Sequence, residues 1–278
     1  MYVVLFLSFG IALAVNLLEP FSFPRNCFHR PSRMVQVILS GRVTCENTTL
    51  TESKQQWMTP QKPNLILTKI TQANKPTILQ ITEAGIIGKI GFNSSGVGTL
   101  LNAIKVHGVD ATRMPVHFGL RMALESNSVA EAVQRLETHG MAASAHILLA
   151  DPNEAVGLDF TKSTFARCEP DARGRVAHTN HLLKEHPGEV DTVWLKDSPT
   201  RVATMVVNTD KLGDEPTRED VSRLFEDEQN LPTAICLTET VESGSGTLFN
   251  ILMDLRSKTG VLRMGRPTEV EETVTLSL

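Results

Sequence analysis

The chain is poor in cysteine, with four in 278 residues: Cys27, Cys45, Cys168 and Cys236. They are widely spaced and form no CxxC pair. A disulfide scaffold needs more cysteines in a shorter chain, and a structural zinc site needs closer pairs. Each cysteine reads first as a small buried hydrophobe, with a nucleophilic role open to any of them. Positive charge is also short: 27 Lys and Arg against 31 Asp and Glu leave a net charge of −4, with no dense basic block. That excludes a nucleic-acid binder, which needs a basic stripe against the phosphates. Gly and Pro, at 18 and 14, are too few for a collagen-like or low-complexity chain. Gly85, Gly88, Gly91, Gly96 and Gly98 match neither GxxxxGK[ST] nor GxGxxG, so they punctuate strands rather than cradle a phosphate.

Met1–Leu18 carries no charge and is about as long as the shortest membrane span, roughly 17 residues. Ala12-Leu13-Ala14 resembles a signal-cleavage site, but the basic n-region is missing. A secretory signal, a membrane anchor and a misplaced exon boundary stay open for this stretch. Asn47-Thr48-Thr49 and Asn93-Ser94-Ser95 fit the glycosylation sequon, which matters only in a secreted chain.

From Asn64 onward the patterns become regular. Leu65–Ile70 and Thr77–Ile81 read as strands around a turn at Ala73–Pro76, followed by Ile86–Phe92, a turn at Asn93–Gly96, and Val97–Ile104. Pro115–Glu125 reads as a helix with Val116, Leu120 and Leu124 at a spacing of four. Ser128–Gly140 reads as a second, with a Ser128/Glu131 capping box and a terminal glycine. Strands are expected at Ala145–Ala150, Ala155–Phe160 and Arg175–Thr179, and helices at Asp197–Asn208 and Arg218–Asp227. The last third, Thr233–Leu237, Thr247–Asp254, Thr259–Arg263 and Val270–Leu276, reads as strand. Before Asn64 only Val35–Leu39 reads as a strand, and Thr44–Trp57 is polar without periodicity. Segregated runs of strands and helices imply an α+β fold with antiparallel sheets.

His178-Thr179-Asn180-His181 is the most unusual polar cluster. At a strand end, residues i and i+3 face opposite sides, so the two histidines make a poor metal pair, and no HExxH supports one. The other readings are a loop satisfied by its own hydrogen bonds, or Asn180 as an amide donor to a developing oxyanion.

Thr82–Gly98, Ala123–Ser126, Met141–Ala145, His178–His181, Thr247–Ile251 and Gly265–Pro267 together resemble, in order, the fungal acyl-coenzyme A:6-aminopenicillanic acid acyltransferase family. The resemblance runs from about Gln55 to Leu278, so residues 55–278 are expected to be one Ntn-hydrolase domain and residues 1–54 a divergent segment. It implies a four-layer αββα sandwich with two antiparallel sheets, its N-terminal part incomplete or divergent. It also implies self-cleavage in front of a cysteine, whose thiol becomes the nucleophile and whose new α-amino group becomes the base. A thioester acyl-enzyme then passes the acyl group to an amine or to water. By this resemblance Asn180 is the oxyanion-hole asparagine, Asn102 a second polar contact to the oxyanion, and Cys45 the cysteine near the nucleophile's place.

Three family features are altered. The Gly-Cys-Thr around the nucleophile is Thr44-Cys45-Glu46, Gln-Asn-Trp-Asp is Gln55-Gln56-Trp57-Met58 without its Asp, and Ser-Ile-Cys-Arg is Ala234-Ile235-Cys236-Leu237 without its Arg. Cys236 is expected on a core strand. Two functions follow: an acyltransferase or amide hydrolase working through a cysteine thioester, or a catalytically silent member that keeps the fold and an acyl- or amide-binding pocket. The partners implied are a small acyl donor and an amine or amide acceptor, with a self-cleaved heterodimer if processing occurs. No metal or organic cofactor is expected, and coenzyme A enters only within a donor. The resemblance implies a cytoplasmic or peroxisomal site, and a real signal or anchor at Met1–Leu18 a secreted or membrane-bound one.

Overall fold

The computed structural model describes residues 33–43, 46–213, 215–238 and 245–278. Met1–Leu18 and Cys45 lie outside the described residues. The described chain opens with a hairpin, β1 (Arg33–Val43) and β2 (Glu46–Met58). It continues through β3 (Leu65–Ile70), β4 (Ile78–Glu83), β5 (Ile90–Asn93) and β6 (Gly98–Ala103). Helices α1 (Val116–Leu124) and α2 (Val129–His139) lead into β7 (Ala145–Ala150), β8 (Ala155–Phe160), β9 (Phe165–Cys168) and β10 (Arg175–His178). After α3 (Ser198–Asp210) and α4 (Arg218–Arg223), the chain ends in β11 (Ser245–Asp254), β12 (Thr259–Arg266) and β13 (Glu269–Ser277).

The strands form two antiparallel sheets, ordered β10-β1-β2-β11-β12-β13 and β3-β4-β5-β6-β7-β8-β9. Every residue of β4, β7, β8 and β11 is buried. A strand buried on both faces needs a cover on each, and that requirement builds four layers. One face of each sheet meets the other sheet, where β1 touches β6. The outer faces carry α1 and α2 over β5, β6 and β7, and α3 and α4 over β1, β2 and β10. This is the α+β, αββα arrangement expected of the sequence.

The helices form for the reasons their sequences give. The stripe Val116, Leu120 and Leu124 of α1 is buried against the sheet, and burying a leucine side chain fully contributes roughly 1.5–3 kcal/mol. Ser128 caps α2 by accepting from the Glu131 amide at 3.1 Å. The Glu131 carboxylate reaches one residue past the expected partner, to the Asn127 amide at 2.8 Å. Gly140 ends the helix at φ +64°, a conformation open to glycine.

Besides β5, which starts at Ile90 instead of Ile86 because the glycine-rich stretch before it turns, three elements depart from the sequence reading. The polar run Glu46–Met58 is a central strand, with Thr51, Glu52, Ser53 and Gln55 all buried. Polar residues on both faces of a strand erase the apolar alternation by which strands are recognised. The boundary expected after residue 54 falls inside this strand, so the sheet draws on residues from both sides of it. Ala234–Leu237 is buried but joins no sheet: Ile235 packs into the apolar cluster with Leu50, Met205 and Phe225, and the Cys236 amide donates to the Asp227 carbonyl at 2.7 Å. Cys236 is therefore a core residue without being a strand residue, because a short apolar run has no period to separate the two. The third is β9, too short to show a period.

The Asn93 sequon is closed to glycosylation in the folded chain. Asn93 is wholly buried, and its amide donates to the carbonyls of Leu124 at 2.9 Å and Ser126 at 2.7 Å. No helix among the described residues is long and apolar enough to cross a membrane.

Candidate active site

β10 ends at His178 and delivers His178, Thr179 and Asn180, all wholly buried, to the first turn of α3. Ser198, the first residue of α3, gathers the segment. Its Oγ accepts from the Asn180 amide at 2.7 Å and lies 2.8 Å from both Thr179 Oγ1 and His181 Nδ1. Asn180 then spans two layers: Nδ2 donates to the Ala103 carbonyl on β6 at 3.0 Å, and Oδ1 accepts from Arg201 Nη2 on α3 at 3.1 Å. Arg201 is fully buried and pairs with Asp197 through Nε at 2.9 Å.

Asn102 sits beside Ala103 on β6, so the structure brings Asn102 and Asn180 to one place between the sheets. Asn102 Oδ1 lies 3.1 Å from His178 Nδ1, and Asn102 Nδ2 is buried with no hydrogen-bond partner among the described residues. His178 Nδ1 also lies 2.7 Å from the Thr179 carbonyl. A carbonyl can only accept, so this nitrogen carries a proton. His178 and His181 point to different partners, as expected for i and i+3 at a strand end.

Asp159 on β8 closes the cluster. Its Oδ1 accepts from His146 Nδ1 at 2.8 Å and lies 2.9 Å from His178 Nε2, and its Oδ2 accepts from the amides of Leu183 at 2.8 Å and Lys184 at 3.2 Å. His146 and His178 stack with centroids 3.4 Å apart and planes 7° from parallel. Burial lowers the His146 imidazole to about 4, with the charge of His178 acting in the same direction. Burial acts to raise the Asp159 carboxyl, but hydrogen bonds from the two histidines and their charge hold it far below the usual carboxylate range. The stack therefore suits a neutral ring at His146.

Ligating atoms of His146, Asp159 and Cys168 lie within 4.8 Å of one another, a candidate metal set among the described residues. The chemistry disfavours it. Burial pushes the Cys168 thiol up to about 12, and Asp159 is already committed to two imidazoles and two amides. Sequence reasoning missed His146, Asp159, Asp197, Ser198 and Arg201.

A methyl group at Gly157 would lie 2.4 Å from His146 Cε1. Asp159 fixes that ring and it cannot swing aside, so Gly157→Ala should cost about 1–3 kcal/mol by overpacking. A lowered urea midpoint at unchanged m would show it; an unchanged midpoint would mean the ring is free to move.

Cys45 lies outside the described residues, but its flanking strand ends do not. Val43 pairs with Glu46 at one end of the β1–β2 hairpin, whereas His178 pairs with Gln36, seven residues back along β1. At strand rise that separates Val43 from the His178 position by roughly 23 Å. Gln55, paired with Met34, lies at the hairpin end that holds His178. Leu237, in place of the family arginine, is buried.

Comparison with known proteins agrees with this architecture. A family profile, Acyl-coenzyme A:6-aminopenicillanic acid acyl-transferase, matches residues 57–269. The chain is 42% identical over 228 residues to the acyl-coenzyme A:6-aminopenicillanic-acid-acyltransferase 40 kDa form of Emericella nidulans, covering 80% of this chain and 63% of that one. This chain thus spans under two thirds of that relative's length. Among solved structures, the Caenorhabditis elegans N-acylethanolamine-hydrolyzing acid amidase ortholog superposes with TM-score 0.59 at 16% identity, covering 80% of this chain and 92% of its own. Penicillin V acylase from Agrobacterium tumefaciens does so with TM-score 0.58 at 9% identity, covering 83% and 82%. At those identities the likeness speaks for the fold alone. The ordered motifs, the two-sheet sandwich and the profile match lead to one assignment: the chain belongs to the acyl-coenzyme A:6-aminopenicillanic acid acyltransferase family.

Proposed function

We propose that this protein is an acyltransferase or amide hydrolase whose oxyanion site is formed by Asn102 and Asn180. One observation carries the reading: Asn102 Nδ2 is a buried donor without a partner among the described residues, beside Asn180 at the junction of the two sheets. An unmet buried N–H costs roughly 1–3 kcal/mol, and an acyl oxygen would relieve it. In the proposed reaction a thiolate adds to the acyl carbonyl, and the carbonyl electron pair moves onto oxygen, where the amide donors meet it. Collapse expels the leaving group as a thioester forms, and an amine or water takes the acyl group. By family resemblance the nucleophile is Cys45, freed by self-cleavage.

A second reading, a catalytically silent member, is favoured by the hairpin register, which puts Val43 and Glu46 far from His178. Intact mass of the purified full-length chain separates the two. Fragments that meet between Thr44 and Cys45, with an acyl-thioester probe labelling the wild type and not Cys45→Ala, are expected of the enzyme. A chain that stays uncut and unlabelled on incubation would end the first reading.

A further inference from the structure

We propose that Arg201 and His178 are positioning residues, each holding the carbonyl oxygen of one asparagine so that the two amide groups keep a single orientation. An asparagine side chain has nearly the same shape when its oxygen and nitrogen are exchanged, so its partners alone decide which way it faces. At Asn180 the partners leave no choice. A guanidinium only donates, so the atom 3.1 Å from Arg201 Nη2 is the oxygen; the Ala103 carbonyl only accepts, so the atom 3.0 Å from it is the nitrogen. Asn102 is decided in the same way. His178 Nδ1 carries a proton because it faces the Thr179 carbonyl at 2.7 Å, so the Asn102 atom 3.1 Å away is the oxygen, and Nδ2 is the donor left without a partner among the described residues.

The two arrangements share a plan, but of the two aspartate contacts only Arg201–Asp197 has hydrogen-bond geometry. Behind each donor stands an aspartate: Asp197 at 2.9 Å from Arg201 Nε, and Asp159 at 2.9 Å from His178 Nε2. One relay reaches Asn180 from α3 in the helix layer, and the other crosses from β8 through β10 to β6. All four charged or ring groups are at least nine-tenths buried, which prevents water from replacing either donor. The two relays meet where Asn180 Nδ2 binds the carbonyl of Ala103, the residue after Asn102. The use of these donors on an acyl oxygen rests on the function proposed above; the orientation itself does not.

Side-chain amide exchange in the uniformly 15N-labelled full chain tests the orientation without any substrate. The Asn180 and Asn102 signals are assigned by their loss in Asn180→Asp and Asn102→Asp. Arg201→Met should speed solvent exchange of the Asn180 amide protons at least tenfold while changing Asn102 less than about twofold, and His178→Phe should do the reverse. Arg201→Lys, which keeps a charged donor, should retain part of the Asn180 protection and serves alone if the Met variant fails to fold. Unchanged exchange at Asn180, or equal acceleration of both asparagines in both variants, would overturn the proposal, because that is general loosening. With an acyl donor, Arg201→Met should lower kcat and spare KM. A wild type that turns over nothing while the exchange pattern holds would sink the enzyme reading and leave this one standing.

Discussion

Replacing Asp159 by asparagine should destabilise the fold by about 3–5 kcal/mol at pH 7, the scale of a buried ion pair broken from one side. Asparagine has almost the same shape, so the loss is electronic. Oδ1 of Asp159 faces two imidazole nitrogens, His146 Nδ1 at 2.8 Å and His178 Nε2 at 2.9 Å, and Oδ2 faces the amides of Leu183 and Lys184. Both oxygens meet donors. An asparagine must turn its own NH2 toward one of these sets, so neither orientation satisfies the site. Both imidazoles also lose the carboxylate they face, in a place that water does not reach. Urea unfolding of the two chains measures the difference, and a loss under about 1 kcal/mol would mean that the cluster is uncharged or hydrated.

The same cluster sets an acid limit in the wild type. His146 is held near 4 in the folded chain against 6.5 when free. Between those values the unfolded chain binds a proton that the folded chain refuses, so stability falls as pH drops from 6.5 to 4. Asp159 is depressed in the folded chain, and its contribution is present above 3.8 and lost as pH falls further. The deficit of Asp159→Asn should therefore narrow below pH 4.

Glu52→Gln should have the opposite sign, stabilising the protein by about 3–5 kcal/mol at pH 8 and leaving it unchanged near pH 4.5. Glu52 lies on β2 on the face covered by α4, wholly buried, with Ser222 Oγ donating at 3.2 Å. Among the described residues its other carboxyl oxygen has no hydrogen bond of normal geometry, and Asn250 is the side chain that pulls most on the carboxyl. Arg263 contacts that same serine at 2.9 Å. Burial pushes the Glu52 carboxyl from 4.5 up to about 8, against the pull of Asn250, Arg263 and Ser222. In that window the folded chain keeps a proton that the unfolded chain has released, so stability falls as pH rises from 4.5 to 8. Glutamine keeps the size and one acceptor and has no charge to desolvate. Denaturation midpoints at pH 4.5, 6 and 8 would trace the growing gap. A gap of equal size at every pH would show that Glu52 is ionised in the folded state.

Much of the scaffold was legible along the chain. The spacing of Val116, Leu120 and Leu124 gave α1, the Ser128 cap and Gly140 gave the ends of α2, and apolar runs with turn residues between them gave β4 through β8. These signals are local: a period, a cap or a turn acts within a few residues and survives in one dimension. The family resemblance reached further, to the αββα layers, and it put forward Asn102 and Asn180 as candidates.

The partners of those asparagines were not legible, and the reason is register. His146 and Asp159 each interrupt an apolar strand, AHILLA and AVGLDF, and a lone ionisable residue there does announce that a buried partner exists. It does not say which. Pairing of β7 with β8 puts His146 opposite Asp159, and packing of one sheet on the other brings His178 onto both. Asp197 and Arg201, four apart on a helix, would ordinarily make an exposed pair of little consequence; the sheet beneath α3 buries it and turns the arginine onto Asn180. β2 was hidden for a related cause: Glu52 meets its partner, Ser222, far along the chain, and nothing in the local sequence announces that contact. Local chemistry thus wrote the elements and the family, whereas the long-range contacts that desolvate and aim each polar group exist only once the four layers close.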